Sequence, residues 1–241
     1  AFHRKHAGVV RKAINDRLWD DWRIFIDCRT RSLYSKKVSV PTNALALLCG
    51  VASGARAKKI IQYLSECDTV TPAGTPFMTG LFAKALFHHD RGAEAIQMIR
   101  EYWGEMIRRG ATTFWEEFDP RTPRTCVPLS LDDNHSMTSL CRGWSGGPTY
   151  LLPAYALGVR PISPGFQEFL IAPQPGNLAW AEGRIPTPRG EIALRWERDK
   201  RHASMRISLQ FPRSCQARLE LPVPAGGKHF ELNRTLLKAG R

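Results

Sequence analysis

The feature that most constrains this chain is a change in the spacing of its apolar residues near residue 160. Before that point apolar side chains return every three or four positions, the step that places them on one face of a helix. Beyond it they alternate, the step that places them on one face of a strand. Helices followed by strands mean an α+β chain of two domains. The boundary is expected at Pro161-Ile162-Ser163-Pro164, with a helical domain over 1–160 and a β domain over 161–241.

The helical part divides at short polar breaks. Val9, Val10, Ala13, Ile14, Leu18 and Trp22 predict a helix within 6–22, and Thr42 or Asn43 is placed to cap a second over 44–52. Ile60, Ile61 and Leu64 share a face in 55–64, and Thr75-Pro76 opens a fourth helix, since proline suits a first helical turn. Ala95, Ile96, Ile99, Trp103 and Met106 give 92–108 an apolar face. A sixth helix is expected over 137–156, or else a broken one, because Gly143, Gly146, Gly147 and Pro148 interrupt it. Short links between successive helices suggest antiparallel hairpins. Strands are expected at 168–171, 178–186, 190–196, 203–209 and 216–221, with a turn at Pro186-Thr187-Pro188-Arg189-Gly190.

Charge and cysteines narrow the function. Lys and Arg number 35 against 22 Asp and Glu, a formal charge of +13. The basic residues are spread along the chain, and the densest stretch, 195–206, alternates with apolar residues as the wet face of strands does. Nucleic acid is therefore not an expected partner; binding through bulk charge would weaken steeply with salt. No apolar run is long enough for a membrane span. The six cysteines, at 28, 49, 67, 126, 141 and 215, have neither CxxC nor zinc-ligand spacing. They read as buried thiols, which fits a reducing compartment such as the cytoplasm, and no metal is expected. The opening Ala1-Phe2-His3-Arg4 lacks an initiator Met, so the chain reads as part of a longer protein.

The segment richest in chemistry is Gly110-Ala-Thr-Thr-Phe-Trp-Glu-Glu-Phe-Asp-Pro120, inside a long loop over 110–134. Glu116 and Glu117 lie between aromatics. Carboxylates beside such surface lose water and their pKa tends to rise, which suits an acid or a base. Flat aromatic faces also stack on sugars, and cleaving a glycosidic bond takes two carboxyl groups. A solvated surface turn is the alternative reading of the same residues.

Five ordered motifs go further. Gly110-Ala-Thr-Thr-Phe-Trp-Glu116 resembles the GATTxWE signature of the inverting α-L-rhamnosidases, glycoside hydrolase family 78. Thr42-Asn-Ala-Leu-Ala-Leu47 is similar to that family's TNALAL, and Tyr102-Trp-Gly-Glu-Met106 to its WGxM. Ser139-Leu-Cys-Arg-Gly-Trp-Ser-Gly-Gly-Pro148 resembles SLCHGWSAGP, and Leu157-Gly-Val-Arg-Pro-Ile-Ser-Pro-Gly-Phe166 resembles LGVxPxxPGF.

The resemblance implies an (α/α)6 six-hairpin toroid followed by an antiparallel β-sandwich, of which the roughly six helices given by the apolar spacing make a partial toroid. It implies a rhamnose-containing glycoside as substrate and no cofactor. It places Glu116 at the general base, with Trp115 and Phe114 walling the sugar, while Glu117 orients Glu116, bonds a hydroxyl or is simply solvated. Two departures stand out. Arg142 replaces the family's His; it either holds a hydroxyl or pairs with Glu116 and lowers its pKa, and His135 is a possible substitute. No segment resembles the family's Asp- and Arg-rich general-acid motif, so the chain alone is expected to be nearly inactive. A non-catalytic carbohydrate-binding or structural remnant of the same fold is the alternative.

Overall fold

The structure is a computed structural model and describes residues 2–20, 24–30, 37–66, 73–121, 139–199, 204–222, 229–232 and 235–238. The chain forms two compact units, Ala1–His89 with Met98–Gly147, and Asp90–Gln97 with Pro148–Arg241.

Five helices precede the site: α1 (Phe2–Arg17), α2 (Val40–Leu48), α3 (Gly54–Glu66), α4 (Pro76–His88) and α5 (Gly92–Arg108). The cap of α2 is Ser39 rather than Thr42 or Asn43: its hydroxyl accepts the Thr42 N–H at 3.4 Å, and Pro41 lies in the first turn. Asn43 has a different task. Fully buried, it accepts the Phe25 N–H at 3.0 Å and donates to the Phe25 and Ser39 carbonyls at 2.9 and 3.0 Å. One side chain thus satisfies backbone groups that burial would otherwise leave unpaired. Thr75 caps α4 by accepting the Met78 N–H at 3.3 Å, with Pro76 next, as the sequence reading expects. α2 packs on α4, and α3 turns Ala57, Ile60 and Ile61 inward. α1 buries no residue; Phe2, Val9 and Val10 on it are exposed.

The expected sixth helix is broken. A 3-10 turn at Gly143–Ser145 precedes α6 (Gly147–Leu151), and a π-type turn follows at Leu152–Leu157. Gly146 and Gly147 disfavour helix, and Pro153 has no N–H to donate. Gly158, at φ +99°, ends this stretch in the left-handed region.

The strands form two sheets. β1 (Val159–Pro161), β2 (Glu168–Ile171) and β6 (Gln216–Leu219) make one, in the order β1-β2-β6. β3 (Trp180–Thr187), β4 (Gly190–Asp199), β5 (Ser204–Gln210), β7 (His229–Leu232) and β8 (Thr235–Lys238) make the other, in that order. Four of the described strand pairs are antiparallel, as expected; the pairs β2–β6 and β5–β7 are parallel, each joined by a longer connection rather than a tight hairpin. Both sheets feed one core of Phe169, Ile171, Ile192, Leu194, Trp196, Met205, Ile207 and Leu209. The indole of Trp196, fully buried, donates to the Leu157 carbonyl at 3.2 Å. The cysteines differ from expectation: Cys215 is buried and Cys28 half-buried, but Cys49 and Cys141 are exposed, the first at the cap after α2 and the second in a loop. Cys67 and Cys126 lie outside the described residues. No helix among the described residues is long and apolar enough to cross a membrane.

A Cβ on Gly158 would lie 2.4 Å from the Pro173 nitrogen and 2.6 Å from its Cα. Both contacts are to backbone, and the left-handed φ adds about 1–2 kcal/mol for any other residue. With overpacking of about 1–3 kcal/mol, Gly158→Ala is expected to destabilise the protein by at least about 2 kcal/mol, read as a lower urea midpoint with unchanged slope.

Candidate active site

The segment that carries Glu116 begins where α5 ends. Gly110 (φ +89°) closes that helix: its N–H reaches the Ile107 carbonyl at 2.9 Å, and the Ala111 N–H reaches the Met106 carbonyl at 3.1 Å. This pair of bonds is a Schellman cap, and it turns the chain back along the helix. Side chains of α5 and of Arg109, which follows it, then hold the returning segment. The Tyr102 hydroxyl donates to the Phe118 carbonyl. Arg109 donates to the Pro120 carbonyl at 2.7 Å and lies 5.1 Å above the Phe118 ring. Trp115 packs edge-on to Phe118, their centroids 5.8 Å apart.

Between these anchors Glu116 runs beside Ser139–Arg142. Its N–H donates to the Ser139 carbonyl at 2.9 Å, the Arg142 N–H donates to the Phe114 carbonyl at 2.7 Å, and the Thr113 hydroxyl donates to the Leu140 carbonyl. The two segments are antiparallel and cross-linked. α5 anchors the second as well, for the indole N–H of Trp103 donates to the Ser145 carbonyl at 3.0 Å.

The Glu116 carboxylate is engaged at both oxygens. Arg142 Nη2 donates to Oε1 at 2.5 Å and the Ser139 N–H donates to Oε2 at 2.9 Å. Its side chain is 19% exposed. The Arg142 guanidinium, and after it the Ser139 N–H, hold this carboxyl below its ordinary pKa, against a smaller opposing effect of burial. The upward shift expected from aromatic surroundings is thus reversed. Two donors aimed at the charged form outweigh lost hydration. Of the two roles open to Arg142, the structure shows the ion pair.

The remaining sequence candidates occupy different settings. Trp115 is 7% exposed, so its ring anchors the loop within the core. Phe114 is half-buried, and its ring lies beside Gly146, where a Cβ would meet it at 3.2 Å. Glu117 points outward and is exposed. His135 lies outside the described residues. Sequence reasoning did not single out Ser139, whose N–H grips Glu116, although it opens the SLCRGW motif. It also read Trp103 as a core residue and Tyr102 only as part of a motif, where their hydrogen bonds position the site. Among the described residues no cluster of His, Cys, Asp and Glu could hold a metal ion.

Known proteins share both parts of the chain. Residues 2–156 match the bacterial alpha-L-rhamnosidase 6 hairpin glycosidase domain, and residues 158–234 match the bacterial alpha-L-rhamnosidase C-terminal domain. An alpha-L-rhamnosidase of Alteromonas sp. (strain LOR) is 32% identical over 147 residues, covering 57% of this chain and 15% of that protein. The crystal structure of a glycoside hydrolase family 78 rhamnosidase of Bacillus sp. GL1 superposes with a TM-score of 0.78 at 32% identity, covering 93% of this chain and 23% of that one. An alpha-L-rhamnosidase from Dictyoglumus thermophilum shares the fold, with a TM-score of 0.66 at 21% identity over 92% of this chain and 24% of that one. The chain therefore spans less than a quarter of the length of these proteins.

The Glu116–Arg142 pair has a titration signature. A carboxyl whose folded pKa is depressed contributes stability that is complete above its unfolded value, about 4.3, and is lost as pH falls through the folded value. Arg142→Met is expected to raise the Glu116 pKa toward the ordinary range, read from the side-chain carboxyl carbon by NMR titration. An unmoved titration would mean that the ion pair does not set the carboxyl's charge.

Proposed function

Because the chain belongs to the bacterial α-L-rhamnosidase family, we propose that it is the base-carrying part of an enzyme that hydrolyses terminal α-L-rhamnosyl residues from glycosides with inversion. The helical part, 1–160, then carries the chemistry and 161–241 forms the β domain.

The observation that carries this reading is one partly buried carboxylate, Glu116, paired with Arg142 in a loop that Tyr102 of α5 and the adjoining Arg109 hold in place. In the reaction, Glu116 accepts a proton from water, the water oxygen bonds to the anomeric carbon, and the glycosidic oxygen leaves with a proton from a carboxylic acid. An inverting site sets these two carboxyl groups about 6.5–9.5 Å apart, on opposite sides of the sugar. The acid is supplied by residues beyond this chain, and without it the chain turns over little or nothing. The ordinary range already leaves a carboxyl ionised at neutral pH, so the depressed Glu116 pKa costs proton affinity without gaining population. Phe114 and Arg142 border the sugar, Glu117 stays in solvent, and no cofactor takes part.

One observation favours a second reading. The 2.5 Å bond from Arg142 already occupies one Glu116 oxygen, as suits a site that binds carbohydrate without cleaving it. Turnover separates the two. Joined to the upstream helices of a full-length family member, the chain is expected to release rhamnose from p-nitrophenyl α-L-rhamnopyranoside. Glu116→Gln should then lower kcat by about 10²–10⁴-fold. Full activity in that variant would remove Glu116 from the base role, and rhamnoside binding without turnover in the joined protein would establish the second reading.

A further inference from the structure

In the β domain, β4 turns Ile192, Leu194 and Trp196 to the core, so the alternate residues of β3, β4 and β5 lie on the outward face of their sheet. Four of these form a block. Register pairs Trp180 with Glu197 and Glu182 with Arg195, which puts an indole, two carboxylates and a guanidinium at neighbouring positions on two strands. Trp180 is 56% exposed. The Arg195 guanidinium carbon lies 5.1 Å from the centre of the indole, and Glu182 and Glu197 both pair with that guanidinium. Arg195 is thus held against the ring by a carboxylate from each strand. The footing of Trp180 is fixed as well. The Arg198 N–H donates to the Ala179 carbonyl at 2.8 Å and its guanidinium to the Gly176 carbonyl at 2.7 Å, which pins the segment leading into β3.

Beyond this block the face is lower. Ala193 stands next to Arg195 on the same side of β4, between Arg184 on β3 and Gln210 on β5. Its short side chain leaves a shallow trough, closed at the far end by the Arg184–Glu191 pair at 2.6 Å. The chain has a formal charge of +13, yet this face is not basic: Arg184, Arg195 and Arg206 share it with Glu182, Glu191, Glu197 and Asp199. A phosphate backbone or a uronate chain would meet those carboxylates, so the face does not suit a polyanion. One ring among charged neighbours is also far short of the roughly 800 Å² per partner that a stable protein interface buries. Fixed donors and acceptors beside one flat ring are matched by an uncharged molecule whose hydroxyls both donate and accept and whose C–H face is apolar. A neutral sugar chain has those properties.

We propose that the outward face of β3, β4 and β5 is a second carbohydrate surface, on which a neutral glycan chain stacks one sugar on the open side of Trp180 and continues along β4 over Ala193. The surface holds polymer and takes no part in bond cleavage. The choice of a rhamnose polymer as its probe rests on the proposed function; the platform itself does not depend on Glu116.

The 241-residue chain is titrated against an immobilised neutral α-L-rhamnan and read by biolayer interferometry. Binding is expected and should be insensitive to salt. Trp180→Ala should weaken it about fivefold or more, the lower end of what one aromatic stacking contact contributes. Ala193→Gln, which fills the trough, should weaken it as well. As a readout that needs no variant, the polymer should slow oxidation of Trp180 by N-bromosuccinimide, measured by peptide mass spectrometry. No binding by the unaltered chain, undiminished binding by either variant, or an unchanged oxidation rate at Trp180 would overturn the platform. So would tighter binding of polygalacturonate that salt abolishes, since bulk positive charge would then be at work. In the protein joined to the upstream helices, Trp180→Ala should leave turnover of p-nitrophenyl α-L-rhamnopyranoside unchanged. Absent polymer binding with turnover intact removes the platform and leaves the proposed function standing; polymer binding without turnover does the reverse.

Discussion

A carboxylate on an irregular loop keeps its position only if something rigid holds the loop, and here α5 and the arginine that directly follows it do so. Tyr102, Trp103 and Arg109 reach three carbonyls of the flanking segments, those of Phe118, Ser145 and Pro120. Two of these donors are on aromatic rings that also pack in the core, so each hydrogen bond is backed by buried apolar surface. The helix thus sets the place of both segments that meet at Glu116. A loop with the same sequence but without those three side chains would have only its own cross-links to hold it.

Electrostatics at the site follow from that geometry. Glu116 faces a guanidinium and a backbone N–H in the space between two anchored segments, and both donors prefer it charged. Arg142 in turn divides its attention between the carboxylate and the Trp144 ring. A permanent cation at position 142 holds the carboxylate in its charged form rather than leaving it available. The chemistry of the site is therefore set as much by the residue across from Glu116 as by Glu116 itself.

How much of this was legible in the sequence differs by element. The helices α2 to α5 and the strands β2 to β6 follow from apolar period and from Thr75-Pro76, since those signals are local. The Ser39 cap was missed because three hydroxyl or amide residues stand close together and only tertiary contacts decide among them; Asp27 accepts hydrogen bonds from both Ser39 and Thr42. The broken helix at 143–157 was half legible, because the glycines announce a break without saying where each turn resumes. At the site, Glu116 and Arg142 stand out in the sequence, but their mutual bond spans 26 positions and needed the fold. The direction of the Glu116 shift was open in the sequence for the same reason: the aromatics argue for a raised pKa and an Arg142 pair for a lowered one, and the fold decides for the pair. Its aromatic neighbours are adjacent in sequence, and its donors are not.

The touching backbones at Gly80 and Gly147, where a Cβ on Gly147 would lie 3.3 Å from the Gly80 Cα, carry one more consequence. Side chains of intermediate length give an interface some slack, for they can change rotamer while the main chains drift. Bare main chain against bare main chain has none. Phe77 in the first turn of α4 and Trp144 just before α6, with the Glu116–Arg142 pair beside them, therefore shift together or stay put.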